Sequence, residues 1–180
     1  MNKLIYKILS GRFGAYFEIR ILMRQTAEVF GVRPPKTCRA SGEEQLKLYA
    51  RFTASEAMRL IQSGYDTDIL QQKLYNMAYN LGSRLRQWLK PKNKQECFAV
   101  IKLLYNNIGI VINEEALGQF RIEKCFFSTC YTPEICAVIS AADKGIFAGI
   151  YNGKRLNFSR RITEGYNECL ANLTDKREGG

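Results

Sequence analysis

The stretch GIVINEEALGQFRIEKCFFS, residues 109–128, decides the fold. β-Branched and aromatic residues fall in two short runs around a Glu-Glu-Ala-Leu-Gly break, the composition of a β-hairpin. Downstream, Thr132, Pro133 and Glu134 supply a cap, a first-turn proline and a first-turn acid, so a helix is expected from there to about Tyr151, closing at Asn152-Gly153. Leu156, Phe158 and Arg160 then alternate with Asn157, Ser159 and Arg161, Glu164-Gly165 turns the chain, and residues 166–173 can pair back. The C-terminal part reads as hairpin, helix, hairpin.

Upstream of residue 108 the texture is helical. Ile5, Leu9, Phe13, Phe17, Ile21 and Leu22 recur at helical spacing, interrupted at Ser10-Gly11 and stopped by Gly31 and Pro34-Pro35, which predicts two helices. Ser41 with Glu44, and Asn93 with Glu96, have the spacing of a capping box and mark two helix starts. A further helix is expected from Thr67 through Leu89, ended by Pro91. Arg84, Arg86 and Trp88 near its end read as complements to the helix dipole rather than as an anion cradle.

The fold class is therefore α+β: a helical N-terminal half packed on a small antiparallel sheet. The 180 residues suit a single domain, with a helical part at 1–107, a small-molecule-binding α/β part at 108–174 and a frayed tail at 175–180.

No run of roughly 18 apolar residues escapes interruption by charge, and no signal-peptide pattern opens the chain, so a cytoplasmic protein without a membrane span is expected. Six cysteines in such a chain read as reduced thiols. The net charge of +10 is scattered and forms no basic run, and the ten Tyr and ten Phe fall among aliphatics, so nucleic acid is not the expected partner. The chain contains no histidine, which removes Ser–His and Cys–His catalysis and histidine-ligated zinc or haem.

The residues that carry chemistry lie late in the chain. Cys136, Ser140 and Asp143 are spaced to share one helix face, and Asp143 is a carboxylate within an otherwise apolar segment. Cys125 and Cys130 precede that helix and Cys169 belongs to the last strand. Cys125, Cys130, Cys136 and Cys169 would be the ligands of a zinc or iron–sulfur centre, but they lack the paired Cys-x2-Cys spacing of structural zinc, and no cofactor is expected. Cys38 and Cys97 read as small buried hydrophobes.

Cys125, Cys136 with Asp143, and RRITEGYNECLANL, in which Thr163 and Gly165 precede Cys169, together resemble the C-terminal region of the L-2-amino-thiazoline-4-carboxylic acid hydrolase family. The resemblance covers roughly the last 55 residues, and Phe126 and Leu170 depart from its pattern. It implies hydrolytic opening of a cyclic C–N bond. Cys125, Cys136, Asp143 and Glu164 would be the catalytic candidates, with Asp143 or Glu164 as base. Ser140, Arg160, Arg161 and Cys169 would bind substrate, the arginines taking a carboxylate. The same region is also similar to the vinyl-4-reductase-type ligand-binding domain, which implies a noncatalytic small-molecule sensor. A homodimer is left open by the sequence.

Overall fold

The computed structural model describes residues 1–36 and 41–175, with backbone alone for 12–17. Cys38 and the tail beyond Asp175 lie outside the described residues. Five helices come first: α1 (Lys3–Leu9), α2 (Arg12–Phe30), α3 (Gly42–Gln62), α4 (Thr67–Leu89) and α5 (Lys94–Asn107). Strands β1 (Ile110–Ala116) and β2 (Gln119–Cys125) follow. Next come helices α6 (Pro133–Ile139) and α7 (Ala141–Ile150), then strands β3 (Arg155–Arg160) and β4 (Cys169–Thr174). This is the α+β arrangement, helical first and sheet last.

The helix ends have identifiable causes. Gly31, at φ 69°, closes α2 in the left-handed region. Ser41 and Glu44 form a reciprocal capping box on α3. Asp66 accepts the first amides of α4, and Lys90, at φ 49°, ends that helix just before Pro91. At α5 the box is only half built. Asn93 accepts from the Glu96 amide, but Glu96 Oε2 takes the N–H of Lys92 and the Met1 amino group instead of reaching back.

The four strands form one antiparallel sheet in the order β1-β2-β4-β3, so the two hairpins meet through β2 and β4. The turn of the first hairpin is confined to Leu117-Gly118, since Glu114, Glu115 and Ala116 belong to β1. One sheet face is buried through Ile110, Ile112, Phe120, Ile122, Leu156 and Ala171. It packs on α5 and α7. Phe120 is its aromatic centre, with Phe147 of α7 at 5.0 Å and Phe98 of α5 at 5.7 Å between ring centroids.

Two expectations are corrected here. The helix expected from 132 to 151 is two helices, broken at Ser140, whose hydroxyl donates to Ala137 O at 3.1 Å. Such local bonding competes with helix continuation. The break frees α7 to lie against α4 at backbone contact. A Cβ on Gly145 would stand 2.2 Å from Tyr75 O, one on Gly149 2.5 Å from Tyr79 O, and one on Gly82 2.6 Å from Ile146 O. Glycine is required at this crossing because any side chain would overlap the facing helix.

The second correction concerns the arginines. A register shift between Phe158 and Arg160 pairs Phe158 with Ala171 and Arg160 with Leu170. Such a bulge re-aims the side chains beyond it. Arg160 pairs with Glu168 at 2.8 Å, and Arg161 approaches Ser140 Oγ at 3.5 Å.

Candidate functional site

Between the helical layer and the sheet lies a cavity of about 140 Å³. Helices α2 to α7 contribute to its wall, joined by the ends of β1 and β2 and by the segment leading into β4. Its volume is comparable to cavities that admit a six-membered ring. The wall is mainly aliphatic and aromatic. Its chemistry is concentrated in Asp143, Glu18, Tyr105 and the thiols of Cys125, Cys136 and Cys169.

Asp143 is placed by the first turn of α7, directly after the break at Ser140. Tyr105, from α5, donates its hydroxyl to Asp143 Oδ1 at 2.6 Å. Burial pushes the Asp143 carboxyl up to about 6, opposed by the Tyr105 hydrogen bond and by the positive charges of Arg161 and Lys144. A carboxylate with that affinity is mainly ionised at neutral pH yet takes up a proton readily.

Glu18, from α2, is the second acid in the wall. Burial pushes it up to about 8, against the donation of Asn107 Nδ2 to Oε2 at 2.8 Å. It is therefore mainly protonated at neutral pH. Burial thus favours the protonated form of Glu18 more strongly than that of Asp143, a difference of the kind that separates an acid from a base. Both raise the affinity of the Tyr49 hydroxyl for its proton, so both act on the same region of the wall.

The thiols are held neutral. Burial raises Cys125 to about 12, the Asp143 charge adding to it, and raises Cys169 to about 11. The Ile162 N–H donates to Cys169 Sγ at 3.3 Å without reversing that shift. Cys136 is raised too, mainly by burial, with Thr163 pulling it slightly down. As thiols rather than thiolates they are weak nucleophiles at neutral pH.

The structure brings Cys125, Cys136, Ser140, Asp143 and Cys169 to one cavity and leaves the other candidates off its wall. Ser140 is buried, its hydroxyl 3.5 Å from Arg161 Nη2. Arg161 does not line the cavity; it pairs with Glu164 at 3.1 Å and lies over the Phe158 ring at 4.9 Å. Glu164 is exposed and engaged by that arginine. Arg160 belongs to an outer network with Glu168 and Arg121. Cys130 is not part of the wall. Among the described residues no group of three or more Cys, Asp or Glu is placed to hold a metal ion, so the four-cysteine ligand set is not assembled.

Sequence reasoning missed Glu18, Tyr105 and Asn107. Glu18 had a signal: it is the first acid in the chain and sits four residues before Leu22, on an apolar stripe. Tyr105 had none, because a tyrosine in an apolar helix reads as core. Among the described residues no helix is long and apolar enough to cross a membrane. No protein-family model matches the chain, and no curated protein matches it by sequence.

Proposed function

We propose that the protein binds a small organic molecule in this cavity and opens a cyclic C–N bond in it by hydrolysis, with Asp143 as general base. The observation that carries this reading is the Asp143 carboxylate in the cavity wall, ionised near neutrality and fixed by Tyr105. A catalytic base works best when its proton affinity lies near the working pH, and a fixed orientation adds to its effect.

The step follows from the residues present. Asp143 takes a proton from water, the hydroxyl oxygen bonds to the ring carbon, the C–N bond breaks, and the proton passes to the departing ring nitrogen. Protonated Glu18 supplies a hydrogen-bond donor in the same wall. The neutral thiols shape the cavity rather than attack the substrate. The resemblance of the last strand and of Cys125, Cys136 and Asp143 to the thiazoline hydrolase family supports the same reaction class. Free thiols at Cys97, Cys125, Cys130, Cys136 and Cys169 suit a reducing compartment such as the cytoplasm.

Noncatalytic ligand sensing is the second reading, favoured by the predominantly apolar wall beneath the helical layer. A panel of small thiazolines and cyclic amidines, followed for ring opening, separates the two. Turnover that falls by roughly 10²-fold or more in Asp143→Asn supports the hydrolase. Saturable binding without turnover in any member supports the sensor.

A further inference from the structure

We infer that the cavity selects a protonated nitrogen base, an amine or amidine, and rejects a carboxylate. This rests on the reading that the cavity is the ligand site and names the class of ligand it takes.

The chain carries 27 Lys and Arg against 17 Asp and Glu, yet the cavity reverses that balance. Its acids are Asp143, ionised near neutrality, and Glu18, held mainly protonated, and no Lys or Arg lines it among the described residues. Arg161 acts on Asp143 and brings Nη2 to 3.5 Å from Ser140 Oγ, but its Nη1 is paired with Glu164 and its guanidinium lies over the Phe158 ring. Arg160 pairs with Glu168. A ligand carboxylate would enter a low-dielectric space beside an ionised Asp143; Arg161 and Lys144, whose charges reach Asp143, do not line the cavity, and Arg161 is already paired with Glu164. Burying an unpaired charge there is strongly unfavourable, and a like charge makes it worse. An amidinium meets the opposite situation, since its two parallel N–H groups match a carboxylate in a charge-assisted pair.

A further polar atom points to the same space. Thr163 lines the cavity, and its Oγ1 is buried with no hydrogen-bond partner beyond its approach to the Cys136 thiol. The hydroxyl carries one donor and two acceptor lone pairs, so it offers an amine or amidine N–H an acceptor, while the charge of Asp143 is what discriminates against a carboxylate.

Benzamidine, benzamide and benzoate share a ring and nearly one shape while differing in charge, so their affinities isolate the claim. Calorimetric titration of the full chain at neutral pH is expected to rank benzamidine first, at least tenfold tighter than benzamide, with benzoate last. The tenfold step corresponds to about 1.4 kcal/mol, at the low end for a hydrogen bond to a charged group. In Asp143→Asn the benzamidine advantage is expected to vanish. The wild-type ranking decides the matter even where that variant does not fold. Benzoate binding as tightly as benzamidine overturns the inference and leaves cavity binding standing. A chain that binds none of the three overturns both.

Discussion

The Tyr105 hydroxyl, on α5, holds Asp143 Oδ1, on α7, across 2.6 Å, joining two helices through a carboxylate whose charge acts on Cys125, Cys136 and Cys169. Because this donor favours the ionised carboxylate, Tyr105→Phe is expected to raise the Asp143 proton affinity above its present value of about 6. Carboxyl-carbon NMR titration measures that shift. The same variant is expected to lose about 1.5–3 kcal/mol of stability, the range for a hydrogen bond to a charged group.

The α4–α7 crossing yields a sharper stability contrast. Gly145→Ala would place a methyl 2.2 Å from Tyr75 O, a backbone atom that cannot move aside cheaply. A loss of about 3 kcal/mol is expected. Gly42→Ala, at the start of α3 with nothing within 4 Å of the new methyl, is expected to be neutral or to gain about 0.5 kcal/mol. Urea denaturation of the two variants checks both. Equal losses would mean that the close approach of the helices is wrong.

Stability should depend on pH through the two raised acids. Glu18 moves from 4.5 to about 8 and Asp143 from 3.8 to about 6, so between the unfolded and folded values the native chain binds more protons than the unfolded one. Stability is then fullest below pH 4 with respect to these groups and declines as pH rises to about 8. The decline is on the order of 5 kcal/mol for Glu18 and 3 kcal/mol for Asp143, taken as upper figures. Glu18→Gln is expected to flatten the slope between pH 6 and 8, measured by denaturation at a series of pH values. An unchanged slope would place the titration elsewhere.

The thiols provide an independent check on the chemistry. Cys125 and Cys169, raised to about 12 and 11, are expected to resist iodoacetamide at pH 8 in the folded chain and to react quickly once it is unfolded. Peptide mass spectrometry resolves each site. Fast labelling of Cys125 in the native protein would instead indicate a thiolate and revive nucleophilic catalysis.

Much of the fold was legible because its boundaries are local. Ser41 with Glu44, Thr132 before Pro133, and Leu89 ahead of Pro91 each set a helix end through neighbouring backbone, and the structure has those ends. Features that depend on distant partners were not legible. Nothing near Ser140 announces a break; α7 gains its position from Gly145 and Gly149 meeting α4. The alternation expected through Arg160 and Arg161 is interrupted by a register shift set by pairing with β4, and neither arginine lines the cavity. Cys136, Ser140 and Asp143 reach one cavity despite the break, whereas Glu18 joins them from a helix more than a hundred residues away in sequence.

The most direct test of the central claim is to titrate the Asp143 carboxyl by NMR with and without saturating benzamidine. A cation held against this carboxylate is expected to lower its proton affinity from about 6, and affinity for the amidine should rise with pH through that value. An Asp143 titration that stays at about 6 with the ligand present would contradict the claim that Asp143 receives it.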